Sequence, residues 1–110
     1  MKTYDVWIER SAETDLLGIL RYITEILREP ATARRVYLSI YDQIMTLRQF
    51  PERYPVVDVE PYKSQGVRKM PAENYYVFYV INENVSEASE VDVFRILYNR
   101  RDWASLLRRD

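Results

Sequence analysis

Thirteen arginines, three lysines and ten tyrosines give this 110-residue chain most of its chemical reach, because Cys and His are both absent. Without Cys there is no disulfide framework, thiolate zinc site or thiol nucleophile. Without His there is no Ser–His or Cys–His couple and no imidazole ligand. The two glycines, Gly18 and Gly66, stand far apart and build neither a P-loop nor a dinucleotide fingerprint. Chemistry here must rest on Arg, Tyr, Lys and carboxylates, with no cofactor and no metal ion expected. The charges are unevenly spread: Lys63, Arg68 and Lys69 occupy residues 61–70 without an acid, and 95–110 holds five Arg against Asp102 and Asp110. Between them, 82–94 carries Glu83, Glu87, Glu90 and Asp92 and no base. Such runs serve equally well as solvated surface. The net charge of −1 leaves no whole-protein field to draw the chain onto nucleic acid.

The elements that would position these groups are legible from periodicity. The length suits one domain, and 47% hydrophobic residues are enough to bury a core. Residues 3–9 alternate Tyr4, Val6 and Ile8 with Asp5, Trp7 and Glu9, the pattern of a half-buried strand. Ser11 reads as a helix N-cap, with Glu13 and Asp15 favouring the helix dipole. Leu16, Ile19, Leu20, Ile23, Ile26 and Leu27 then recur at helical spacing until Pro30. Gly18 inside this helix costs about 1 kcal/mol relative to Ala, and close approach of a neighbouring helix would offset it. A second helix carries Ala33, Val36, Tyr37, Ile40, Ile44 and Leu47 and ends at Phe50-Pro51. The short connection at Pro30 makes the two an antiparallel hairpin. Residues 51–64, with three prolines, should be irregular. Strands are expected over about 65–71, 75–82 and 90–98, with the acidic 83–89 segment as a hairpin loop and Trp103, Leu106 and Leu107 on a short closing helix. The fold class is α+β: an N-terminal strand, a two-helix hairpin, a three-stranded antiparallel meander joining a small twisted sheet, and a short C-terminal helix. Nothing resembles a signal peptide or a membrane span, so a soluble cytoplasmic protein without a membrane partner is expected.

The order and wording of these segments resemble the RelE/ParE superfamily of type II toxin–antitoxin toxins, the plasmid stabilisation family, across residues 1–110. The resemblance rests on Ser11-Ala12-Glu13-Thr14-Asp15-Leu16 at the first helix and Pro30-Ala31-Thr32-Ala33 at the interhelix turn. It continues through the L-x-x-F-P-x-R-x-P run Leu47–Pro55, then Gly66-Val67-Arg68, Tyr75–Val80 and Val93–Asp102. It implies a growth-inhibiting toxin neutralised by a cognate antitoxin, as a toxin–antitoxin hetero-oligomer. A small sheet with a basic end and an exposed edge suits an acidic antitoxin segment, and an apolar helix hairpin suits an amphipathic one.

Two mechanisms occur in that superfamily. ParE-like members poison DNA gyrase; RelE-like members cut mRNA in the ribosomal A site without metal. Cleavage by the 2′-hydroxyl needs a proton acceptor, cations on the phosphate and a donor to the leaving oxygen. For that chemistry the resemblance points to Arg68, Tyr98 and Arg101 as catalytic, with Lys69, Arg95 and Arg100 binding the target; Arg offers the forked donors that fit phosphate. A tyrosine, with an ordinary pKa of about 10, serves as a base only if such cations lower it. Departures from the nuclease pattern are specific: Tyr76 stands where the RelE-like Tyr-Arg-x-x-Tyr has its Arg, and Tyr98 or Asn99 stands where many members have a His or a base. The helix hairpin and the F-P-x-R-x-P run look more ParE-like. The expected function is therefore a gyrase-directed toxin, with a ribosome-dependent endoribonuclease as the alternative and a non-toxic interaction domain as a third. Tyr75, Tyr76, Phe78 and Tyr79 either stack bases or pack as core. Of these, Tyr76 and Tyr79 are expected to reach a surface.

Overall fold

A computed structural model describes residues 2–83 and 89–107; residues 84–88, most of the expected acidic hairpin loop, lie outside the described residues. Four strands form one sheet: β1 (Asp5–Ile8), β2 (Arg68–Ala72), β3 (Tyr75–Asn82) and β4 (Glu90–Tyr98). Their order is β1-β4-β3-β2. β4 pairs antiparallel with β3 and β3 with β2, while β1 runs parallel to β4 with Asp5 opposite Glu90 and Ile8 opposite Val93. Helices α1 (Arg10–Arg21) and α2 (Pro30–Met45) cover one face, and a short α3 (Trp103–Leu106) follows β4. Among the described residues no helix is long and apolar enough to cross a membrane.

The sheet is apolar on both faces, so its strands read as nearly continuous hydrophobic runs. Val77, Tyr79, Val91, Val93 and Ile96 meet Leu16, Ile19, Ile40 and Ile44 of the helix layer. Phe78, Val80 and Phe94 meet Val57, Val67 and Leu107 on the opposite face. Tyr79 therefore lies in the core with no exposed surface, against the expectation that it reaches solvent, whereas Tyr76 is half-buried. β2 begins at Arg68 rather than about 65, because Gly66 takes a positive φ of 74° in a turn closed by Val67 N–H on Tyr62 C=O at 3.1 Å. Pro71 is tolerated because β2 is an edge strand.

Three helix expectations are corrected. Ser11 is not the N-cap: α1 starts at Arg10, Glu9 holds the cap position, and the Ser11 hydroxyl donates to the Phe94 carbonyl at 2.5 Å. Ile26 and Leu27 leave the core, at 66% and 48% exposure. The chain passes into a π-helical turn over Tyr22–Ile26, and its wider winding rotates the following residues off the apolar stripe. The chain reverses at Arg28 in the left-handed region (φ 56°), with Glu29 N–H on Ile23 C=O at 3.0 Å closing the widened end of the helix. Gly18 has no close neighbour, since a Cβ there would meet nothing within 4 Å. It faces an open groove instead.

Candidate partner-binding groove

The groove exists because β1 is shorter than the strand it pairs with. β1 covers Glu90–Val93, so residues 94–98 of β4 have no strand on that side. At the bulge where Phe78 faces Arg95 and Tyr79 faces Val93, β4 carries one extra residue. α1 supplies side chains in place of the missing strand. Ser11 serves the Phe94 carbonyl, and Asp15 Oδ2 accepts from the Ile96 N–H at 2.9 Å and from Arg95 Nε at 2.8 Å. Arg95 Nη1 also donates to the Leu106 carbonyl at 3.0 Å, so this one guanidinium ties α1, β4 and α3 together.

Beyond Asp15 the surfaces diverge and leave an open groove of about 850 Å³. Ile19, Ile23, Val36 and Ile96 line it with apolar surface, and Thr14, Thr32, Glu73, Asn74 and Arg100 add polar groups. Tyr75 and Tyr98, opposite each other on β3 and β4, meet edge to face with centroids 5.7 Å apart. Burial, reinforced by Tyr98, pushes the Tyr75 hydroxyl above the usual tyrosine range. Glu73, in the β2–β3 turn with φ 54°, accepts from Arg35 Nη1 at 3.2 Å and Ser39 Oγ at 2.9 Å, which pins the turn to α2. Around this groove Tyr22 (51% exposed) and Leu27 present apolar surface to solvent. Mostly apolar, open and rimmed by a few fixed polar groups, it has the character of a seat for a peptide or helix.

The residues singled out for phosphate chemistry do not gather around it. Arg68 sits opposite Tyr79 while Tyr98 sits opposite Tyr75, which separates their Cα atoms by about 16 Å at ordinary strand spacings. Arg68 Nη1 donates to the carbonyls of Tyr54 (2.6 Å) and Glu52 (3.1 Å), fastening the irregular segment to β2. Lys69 points to the other face, its Nζ 4.3 Å from the Tyr76 ring centroid and 5.2 Å from that of Trp103. Arg100 pairs with Asp102 at 3.0 Å, and Arg101 is exposed in the turn before α3. Tyr98 and Arg100 line the groove, the only two of the six to do so. Among the described residues no three carboxylates lie close enough together to hold a metal ion.

Among the groove's other residues, Thr14, Tyr22 and Asn74 were not singled out as site residues by the sequence, and Gly18 was marked only as a place for the close approach of a helix. The one signal for them was an apolar helix stripe with more members than a single buried face needs.

The family model for the ParE toxin of the type II toxin–antitoxin system ParDE matches residues 6–103. A chain from the chromosomal ParDE toxin–antitoxin system of Pseudomonas aeruginosa superposes with a TM-score of 0.70 at 20% identity, covering 89% of this chain and 98% of that one. A chain from the toxin–antitoxin complex RelBE2 of Mycobacterium tuberculosis gives 0.62 at 18% identity, covering 88% and 99%. These identities speak for a shared fold. No curated protein matches the sequence. The family match spans all four strands and both long helices, and with it this chain belongs to the ParE toxin family of type II toxin–antitoxin systems.

Proposed function

We propose that the protein arrests growth by blocking DNA gyrase in the cytoplasm, and that a cognate antitoxin neutralises it by seating an apolar segment in the groove between α1, α2 and the β3–β4 end. The observation that carries the gyrase reading over RNA cleavage is the dispersal of the strand cations. Arg68 is committed to two backbone carbonyls, Arg95 to Asp15 and Leu106, and Lys69 to two aromatic rings on the opposite face from Tyr98. Metal-free cleavage needs an acceptor, a donor and cations within hydrogen-bond reach of one phosphate. A protein that acts by binding another protein needs no such convergence. The antitoxin reading is supported by the solved structures of like fold, one from a ParDE toxin–antitoxin system and one from the toxin–antitoxin complex RelBE2.

Two assays on the purified protein test this together. Gyrase supercoiling should fall in proportion to added protein, while mRNA in an active translation extract stays whole. Cut mRNA with supercoiling intact would overturn the gyrase reading, and Arg68→Ala and Arg101→Ala would then report whether those residues do the cutting. If induction of the gene alone leaves growth unchanged, the chain is an interaction domain without toxicity.

A further inference from the structure

The turn that ends α2 holds a large ring in solvent on a backbone conformation that disfavours it. Phe50 has φ 50° and ψ 52°, in the left-handed region that glycine enters freely and a bulky residue does not. Its side chain is 57% exposed, so core packing does not compensate for the strain. The turn is nevertheless firmly built. Arg53 Nη1 donates to the carbonyls of Gln49 (2.7 Å), Phe50 (3.2 Å) and Thr46 (3.3 Å), and Nη2 donates to Thr46 Oγ1 at 2.6 Å. On the other side of the ring, the buried Tyr79 hydroxyl donates to the Pro51 carbonyl at 2.5 Å. These bonds all run to backbone or to other side chains, so a glycine at position 50 would keep every one of them. The fold therefore fixes the backbone that carries the Phe50 ring outward, and none of these bonds depends on the ring. A strained, exposed and over-determined residue of this kind points to function.

We infer that Phe50 is an anchor by which the toxin grips its protein target, its ring entering an apolar pocket on that target. A pre-ordered aromatic gives an anchor its strength, because little freedom is lost on binding. The surroundings distinguish target from antitoxin. Thr46, Arg48, Gln49, Glu52 and Arg53 around the ring are all exposed and polar, a small hot spot inside a wet rim that suits a transient contact. The groove is broader and more apolar, as a lasting complex needs. Helical rise along α2 puts Phe50 about 25 Å from the groove residues Thr32 and Val36, so the two surfaces are separately accessible.

This inference rests on reading the protein as a toxin with a protein target, and Phe50→Gly tests it. The variant should melt at the wild-type temperature or above, copurify with the coexpressed product of the neighbouring antitoxin gene, and fail to arrest growth. The concentration that half-inhibits gyrase supercoiling should rise about tenfold or more, while Phe50→Tyr stays within about threefold of wild type. Wild-type toxicity in Phe50→Gly would overturn the anchor, as would a clear drop in melting temperature, because the ring would then be serving the fold. Loss of antitoxin capture with toxicity intact would overturn the choice of target over antitoxin. If wild-type protein leaves gyrase untouched but Phe50→Gly still relieves growth arrest, the gyrase reading falls and the anchor stands.

Discussion

Tyr79 joins the three parts of the molecule that meet behind Phe50. On β3 it is fully buried beneath the helix layer, lies opposite Arg68, and donates its hydroxyl to the Pro51 carbonyl. Burial pushes that hydroxyl far above the usual tyrosine range, with the nearby Arg68 and Arg53 pulling only partly back. The folded state therefore holds the neutral form more tightly than the unfolded chain does. Its contribution is constant below the unfolded pKa of about 10 and falls as pH rises beyond it, by about 1.4 kcal/mol per pH unit. Tyr79→Phe should cost about 1–2 kcal/mol at pH 7, where it strands the Pro51 carbonyl. The gap to wild type should narrow steadily at pH 10.5 and 11. Urea unfolding at the three pH values measures this, and a gap unchanged at pH 11 would mean that the buried hydroxyl is not the titrating group. The burial of Tyr79 was not legible in the sequence for a physical reason. With both sheet faces covered, polar alternation vanishes from Tyr75–Ile81, and alternation is the signal that tells inside from outside.

Asp15 shows how one element substitutes for another. The strand β1 stops at Ile8 while β4 runs on to Tyr98, and α1 closes the difference with Ser11 and Asp15. Asp15 and Arg95 are mostly buried, at 17% and 21% side-chain exposure, and the carboxylate also holds the Ile96 N–H. Removing it takes the countercharge from a mostly buried guanidinium, which keeps the Leu106 carbonyl, and leaves the Ile96 N–H without its acceptor. Asp15→Ala should therefore destabilise by about 3 kcal/mol, and Asp15→Asn by less because an amide oxygen can still accept from Ile96. Ser11→Ala should cost about 1 kcal/mol. Chemical denaturation with an unchanged slope checks all three; equal stabilities for Asp15→Ala and Ser11→Ala would show that α1 does not complete the sheet through its carboxylate. In the sequence Asp15 looks like a first-turn acid favouring the helix dipole, because that local reading needs no knowledge of where β4 lies. The bounds of β3 and β4 were legible, since runs of aromatic and β-branched residues between polar turns carry their own signal. The π-turn after Arg21 was not: one extra residue per turn leaves composition untouched and yet moves Ile26 and Leu27 into solvent.

At the scale of the whole molecule, 47 × 30 × 23 Å, the groove lies at the start of α2 and the strained turn at its end. The sequence marked strand-end cations as the candidate site and the helix hairpin as a seat for an amphipathic segment, but not the groove's full lining, because that forms only when Thr14–Ile23, Thr32 and Val36, Glu73–Tyr75 and Ile96–Arg100 come together. Gly18 lets that assignment be tested. It lies in the middle of α1, where Ala would be better by about 1 kcal/mol, and a Cβ there meets nothing within 4 Å. Gly18→Ala should therefore raise stability by about that amount, readable as a shift of the denaturation midpoint. A mid-helix glycine with no internal neighbour to require it leaves room for the close approach of an external one. If that neighbour is the antitoxin seated in the groove, Gly18→Leu should fold and still arrest growth, because the side chain projects into open space away from Phe50. It should also be neutralised poorly, with about tenfold more coexpressed antitoxin needed to restore growth, since filling a docking groove removes the close approach that its affinity depends on. Neutralisation of Gly18→Leu at the wild-type antitoxin level would move the antitoxin's seat elsewhere on the molecule, while a gain in stability for Gly18→Ala would still show that the fold itself does not call for glycine at this position.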